Sequence, residues 1–145
     1  MPYDEEIPPY GDLAQPPPET NELSHRVLGI CIEVHRELGP GLPEAAHEKA
    51  LSLEFDRQGV HYSKQHRIAI QYKGVLVATV AVDFPIEEKL VLEVKSVEAL
   101  TPIDRRQVTR YLHVLQLPFG LLVNFNVMLL KDGIRRVFRH EPPID

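Results

Sequence analysis

The chain reads as an α/β fold, a mixed sheet of about five strands flanked by helices. Three observations predict it. Residues 20–58 repeat their apolar positions with the helical period. Residues 66–96 switch to alternation and β-branched residues. A capped helical stretch then precedes two more apolar strands, so the order is helix, helix, three-strand antiparallel meander, helix, two strands.

Each element has its own signals. In "TNELSHRVLGICIEVHRELG", Leu23, Val27, Ile30, Val34 and Leu38 form one stripe, with Thr20 or Asn21 as the expected N-cap. Gly39-Pro40-Gly41 stops this helix. In "LPEAAHEKALSLEFDRQG", Pro43 suits a first turn, Ala46, Ala50, Leu51 and Phe55 make the buried side, and Gly59 closes the helix. "HRIAIQY" and "VLVATVAV" are strands joined by a Lys73-Gly74 turn, and "KLVLEVKS" is the third, reached through "FPIEE". Thr101, Pro102 and Asp104 start the next helix, whose expected apolar face is Ile103, Tyr111, Leu112 and Leu115. "FGLLVNFNV" reads as a central strand, "KDG" as a turn and "IRRVFRH" as an edge strand.

Charge divides the chain unevenly. The net charge is −5, yet residues 1–21 hold Asp4, Glu5, Glu6, Asp12 and Glu19 without one Lys or Arg. The rest carries 16 acids and 16 bases and is neutral. With six prolines in residues 1–20, the segment 1–21 is expected to be a disordered acidic tail before a domain spanning 22–145. A neutral domain gives no strong electrostatic drive toward nucleic acid. The single cysteine, Cys31, excludes a disulfide framework and a cysteine metal site within one chain. No apolar run reaches the roughly 18 residues of a membrane span, and the N-terminus lacks a signal-peptide pattern, so a cytoplasmic protein without membrane contact is expected.

The third strand carries the chemistry. Alternation puts Val91, Glu93 and Lys95 on one face and Leu90, Leu92 and Val94 on the other. A tight "FPIEE" connection brings Asp83 beside Val91 and diagonal to Glu93. Two neighbouring carboxylates repel, and a hard divalent cation, Mg²⁺ or Mn²⁺, removes that cost. Lys95 on the same side could orient water or meet a substrate oxyanion. The other reading is a half-exposed strand whose Glu93 and Lys95 face solvent. Alternation alone leaves both open.

Asp83 followed by Glu93-Val94-Lys95 resembles the signature of the PD-(D/E)xK nuclease superfamily. "GLPEAAHEKAL", "VDFPIEEKLVLEVKSVEALTP", "QVTRYL" and "FGLLVNFNVMLLKDGIRRV" together resemble its bacterial GxxExxY group, over about Leu23 to Val137. The resemblance implies a restriction-endonuclease-like core and a metal-dependent nuclease. Asp83, Glu93, the Val94 carbonyl and Glu44 would hold Mg²⁺ or Mn²⁺, and Asp83, Glu93, Lys95 and Gln107 would form the catalytic set. Gln107 and Tyr111 fit a Q-x-x-x-Y pattern on one helical face. The chain departs from the motif at His47, where tyrosine is expected; His47 either supports the metal from position i+3 of Glu44 or merely fills space.

The implied partner is nucleic acid, DNA rather than RNA, with Arg105, Arg106 and Arg110 as backbone contacts or as a solvated face. A homodimer or protein partner would supplement so small a domain. A nuclease-like fold used for binding or assembly without turnover is the alternative function. Arg135, Arg136 and Arg139 read as edge-strand charges that block strand addition or border a subunit contact. His25, His35, His61, His66, His113 and His140 show no ligand spacing and read as surface residues, and Cys31 as core.

Overall fold

The computed structural model describes residues 16–64 and 66–139. Helices α1 (Pro18–Leu38) and α2 (Glu44–Gln58) come first. Strands β1 (His66–Tyr72), β2 (Val75–Val82), β3 (Phe84–Ile86) and β4 (Leu90–Lys95) follow. Then come α3 (Pro102–Leu115), β5 (Phe119–Asn124), a 3-10 turn (Leu130–Gly133) and β6 (Ile134–Phe138). The first helix opens on Pro18 with Pro17 as N-cap and no side-chain cap, so Thr20 and Asn21 lie inside it. Proline is suited to that position because its missing N–H would be unpaired there anyway. The expected tail therefore overlaps a helix from Pro18, and residues 1–15 lie outside the described residues, as does His140.

The expected mixed sheet is present, with the order β3-β4-β5-β6. Strands β4 and β5 run parallel and the other two pairs antiparallel. The meander's middle strand is broken. It bends at Asp83, so β1 and β2 form a separate two-stranded ribbon. The break shows in the packing: Val82 joins one core cluster and Phe84 the other. Unbroken alternation would have put both on one face. Strand β5 is central and β6 is an edge, as their compositions imply.

Helices cover both faces of the sheet. On one face, Leu28 of α1 and Leu51 and Phe55 of α2 pack with Leu90, Leu92 and Val94. On the other, Val108, Tyr111 and Leu112 of α3 pack with Val91 and Leu122. Strand β4 is thus sandwiched, and from Leu90 to Val94 every residue is buried. Each fully buried Leu or Phe contributes roughly 1.5–3 kcal/mol. Close approach of α3 to β5 depends on Gly120, where an added Cβ would sit 2.9 Å from Val108 Cγ1. Ile103 does not join the α3 face as expected; it is 78% exposed, and Val108 and Thr109 are buried in that helix instead. Ile103 sits in the first turn, ahead of the turns that lie against the sheet.

Cys31 is fully buried, and burial pushes its thiol up to about 12. His35 is a correction: it is buried, and its Nε2–H donates to the Val127 carbonyl at 2.8 Å. Among the described residues no helix is long and apolar enough to cross a membrane.

Candidate functional site

The register of β3 against β4 decides how the carboxylates meet. A three-residue loop, Glu87 to Lys89, pairs Ile86 with Leu90, Pro85 with Val91 and Phe84 with Leu92. Continuing that register sets Asp83 directly across from Glu93. The sequence-based expectation of Asp83 beside Val91 is therefore corrected, since Pro85 holds that place. Hydrogen bonds fasten the pair: Asp83 N–H donates to Glu93 Oε1 at 3.3 Å, and Val94 N–H donates to Asp83 Oδ2 at 3.0 Å.

Both carboxylates are nearly inaccessible, Asp83 at 7% and Glu93 at 4% exposure. The solvent-face reading of Glu93 is excluded by that burial. The environment resists ionisation of Glu93. Burial, then the charge of Asp83, push its carboxyl up to about 8; the Asp83 amide and Lys95 oppose this, and Glu44 adds to it. Glu44, in the first turn of α2, is also raised, by burial and then by Asp83, with Lys95 and the Ser96 amide opposing. Tyr111 is raised too, by burial and then by Glu93 and Asp83, against Arg110. These mutual effects place Glu44 and Tyr111 within the field of the carboxylate pair.

Lys95 leaves β4 toward α3. Its Nζ donates to Gln107 Oε1 at 2.9 Å and lies 4.0 Å from Glu93 and 3.9 Å from Asp104. Asp104 has two tasks. It closes a capping box with Thr101 at the start of α3, and its other oxygen faces Lys95. The pairing of Gln107 with Lys95 follows from α3 crossing the β4 face that carries Glu93 and Lys95.

Sequence reasoning missed Asn124 and Asn126. Asn124 is buried; its Oδ1 accepts from Val97 N–H and Asn126 N–H at 3.1 Å each, and its amide donates to the Val97 carbonyl at 2.9 Å. Asn126 Oδ1 accepts from Gly41 N–H at 3.1 Å. The two asparagines thereby fix the chain just after Lys95 and the loop just before Glu44. Phe125 N–H adds a bond to the Lys95 carbonyl at 2.9 Å. A polar pair inside the otherwise apolar "LLVNFNV" was the available signal, because buried amides need partners.

Three further groups named from the sequence have these surroundings. His47 is fully buried, stacks on Phe125 with ring centroids 4.6 Å apart, and donates from Nε2 to the Gly39 carbonyl at 3.0 Å. It is a packing residue of α2, and its Nδ1 has no partner. Arg105 donates to the Arg136 carbonyl at 2.9 Å, joining α3 to β6, while Arg106 is half-buried and Arg110 exposed. Arg136 is buried over the rings of Phe119 and Phe138, at 5.4 and 5.7 Å, which makes it a part of the core edge instead of a solvated charge.

Among the described residues, no group of three or more His, Cys, Asp or Glu side chains is arranged to hold a metal ion. The pair Asp83 and Glu93 nonetheless fits a cation of the Mg²⁺ kind, which retains several waters and is held by one or two carboxylates. The charge repulsion on Glu93 is what such an ion would relieve. Two clefts, of about 730 and 630 Å³, are lined by other residues, the first around His61 and Glu88 and the second around His35 and Leu129.

Residues 21–137 match the family described as the PD-(D/E)XK nuclease superfamily. No curated protein and no solved structure matches the chain.

Proposed function

The chain belongs to the PD-(D/E)XK nuclease superfamily, and from that premise we propose that it is a divalent-metal-dependent nuclease of the GxxExxY kind, cleaving phosphodiester bonds in DNA. The observation that carries this reading is the buried Asp83–Glu93 pair with Lys95 held beside it by Gln107. Asp83, Glu93, the Val94 carbonyl and Glu44 are the residues that would hold Mg²⁺ or Mn²⁺. When bound, the ion would polarise a phosphoryl oxygen and ease deprotonation of water. Gln107 and Asp104 hold the Lys95 ammonium beside Glu93, where it would orient water or offset negative charge developing on a substrate phosphate. Tyr111, buried on α3 and within the field of Glu93 and Asp83, would line that side of the site.

A second reading is favoured by a specific observation. The carboxylates are engaged by backbone N–H groups, and no three-ligand cluster is formed among the described residues. That arrangement suits a nuclease-like fold that binds or assembles without turnover, and it weighs more for this second reading than for the first. Plasmid and oligonucleotide cleavage with Mg²⁺ or Mn²⁺, alongside Mn²⁺ titration calorimetry, separates the two. Catalysis requires cleavage that disappears in Lys95→Ala, and Mn²⁺ heat that disappears in Asp83→Ala. Absence of both heat and cleavage in the unaltered protein overturns the nuclease reading and favours the binding-module one.

A further inference from the structure

The cleft of about 630 Å³ lies between the end of α1 and the loop before β6, apart from the carboxylate pair. Ile32 and Gly39 line it from one side, and Met128, Leu129 and Leu130 from the other. Met128 is 83% and Leu129 58% exposed, so two neighbouring apolar side chains stand in water beside it. Arg36 and Lys131, both exposed, supply its charge, and no acid lines it. A bare track leads to it along α1. Ile32 and Arg36 share a helical face with His25 and Gly29, at spacings of three and four. Glycine is unfavourable inside a helix. Gly29 is exposed, and among the described residues no other element comes within 4 Å of its missing Cβ. A helix face without side-chain bulk lets another stretch of backbone lie close.

The chain itself carries a complementary segment. Residues 1–15 precede Pro16, which is buried just before α1. They hold Asp4, Glu5, Glu6 and Asp12 and no Lys or Arg. Three of those acids directly precede Ile7, which stands nine residues before Pro16. In the extended form that Pro8 and Pro9 favour, nine residues span about 28 Å. From Pro18 to Arg36 the helix rises about 27 Å. The lengths agree, so Ile7 reaches the apolar lining while the three acids reach Arg36 and Lys131. Residues 140–145 are also acidic, but they are six residues that leave beside Pro118, at the end of β6 remote from Lys131.

We propose that residues 1–15 fold back along α1 and dock in this cleft, with Ile7 against Ile32 and Leu129, and Asp4, Glu5 and Glu6 at Arg36 and Lys131. Tethering holds the segment near its site at an effective concentration on the order of millimolar, so a contact of modest intrinsic affinity is occupied. The cleft shares Gly39 and Pro40 with the loop leading to Glu44, and the docked segment packs against that loop. The docking does not depend on whether the carboxylate site cleaves a substrate.

Paramagnetic relaxation NMR of the full chain tests this. Tyr3→Cys carries a nitroxide, and Cys31 does not compete for it, being fully buried with its thiol pushed up to about 12. Amide signals of Gly39, Leu129, Leu130 and Lys131 should lose intensity several-fold. Arg36→Glu with Lys131→Glu should restore them, because like charges then face each other. Adding Glu5→Lys with Glu6→Lys should broaden them again, and that rescue separates a lost contact from a lost fold. Unbroadened cleft signals in the native background overturn the proposal. So does broadening that ignores the charge reversal, a rescue that fails, or broadening centred on Arg106 and Arg110. A nitroxide-free, isotope-labelled copy mixed with the labelled chain should keep its cleft signals; their loss assigns the segment to a second copy and overturns the docking within one chain.

Discussion

Replacing Glu93 by glutamine should stabilise the metal-free protein. The carboxyl of Glu93 ionises near 4.5 in its ordinary state and near 8 in the fold. Because the folded value lies above the unfolded one, stability is complete below about pH 4.5, falls as pH rises toward 8, and levels off above. At about pH 7 the unfolded chain gains the ionisation that the folded chain resists, over roughly 2.5 pH units at about 1.4 kcal/mol each, or about 3 kcal/mol. At 4% exposure, solvent screening takes little from this cost. Glu93→Gln keeps the shape, and its side-chain carbonyl can still accept the Asp83 N–H. We expect a gain of about 2–3 kcal/mol, seen as a rise in melting temperature of roughly 6–12 °C for a domain of this size. The assay is thermal melting in EDTA at several pH values, with urea titration at neutral pH for the free energy. Native protein should lose stability between about pH 5 and 8, and the variant should show a flatter profile there. Mn²⁺ should raise the native melting temperature by mass action and the variant's much less. A variant that melts at or below the native temperature would refute the reasoning, as would native stability that rises through this pH window.

Three further expectations follow from the packing around the site. Asn124→Ala strips the buried Val97 N–H and carbonyl of their partner; it should cost about 2–4 kcal/mol in chemical denaturation, and hydrogen exchange should quicken at Val97 ahead of the core. Gly120→Ala drives a methyl to within 2.9 Å of Val108 Cγ1 and should cost about 1–3 kcal/mol, with Gly120→Ala/Val108→Ala recovering part of the melting temperature. Thr101→Ala opens the capping box of α3; about 1 kcal/mol of stability should be lost in urea titration, and the loss should be smaller if Asp104→Ala has already removed the reciprocal bond.

Periodicity and punctuation determined the elements. The caps Thr101 and Gly59 and the central, wholly buried β5 are local matters of backbone geometry and burial, and they stand where composition puts them. The pairing of Glu93 and Lys95 on one face of a strand likewise needs only the two-residue period. What sequence left open depends on long-range packing. Whether that face meets water or α3 was undecidable by alternation, and only the tertiary fold, with both faces covered, buries Glu93 and sets Lys95 against Gln107. The position of Asp83 turned on a loop register, where a shift of one residue changes every cross-strand partner. Residue type alone left His47 between metal support and space-filling and made Arg136 read as an edge charge; their neighbours, Phe125 for one and Phe119 with Phe138 for the other, come from distant parts of the chain. The asparagines of "LLVNFNV" were visible as letters from the beginning. That they tie Val97 and Gly41 into one frame around Lys95 and Glu44 was decided by the tertiary structure, because a buried amide takes its partners from whatever backbone the fold brings to it.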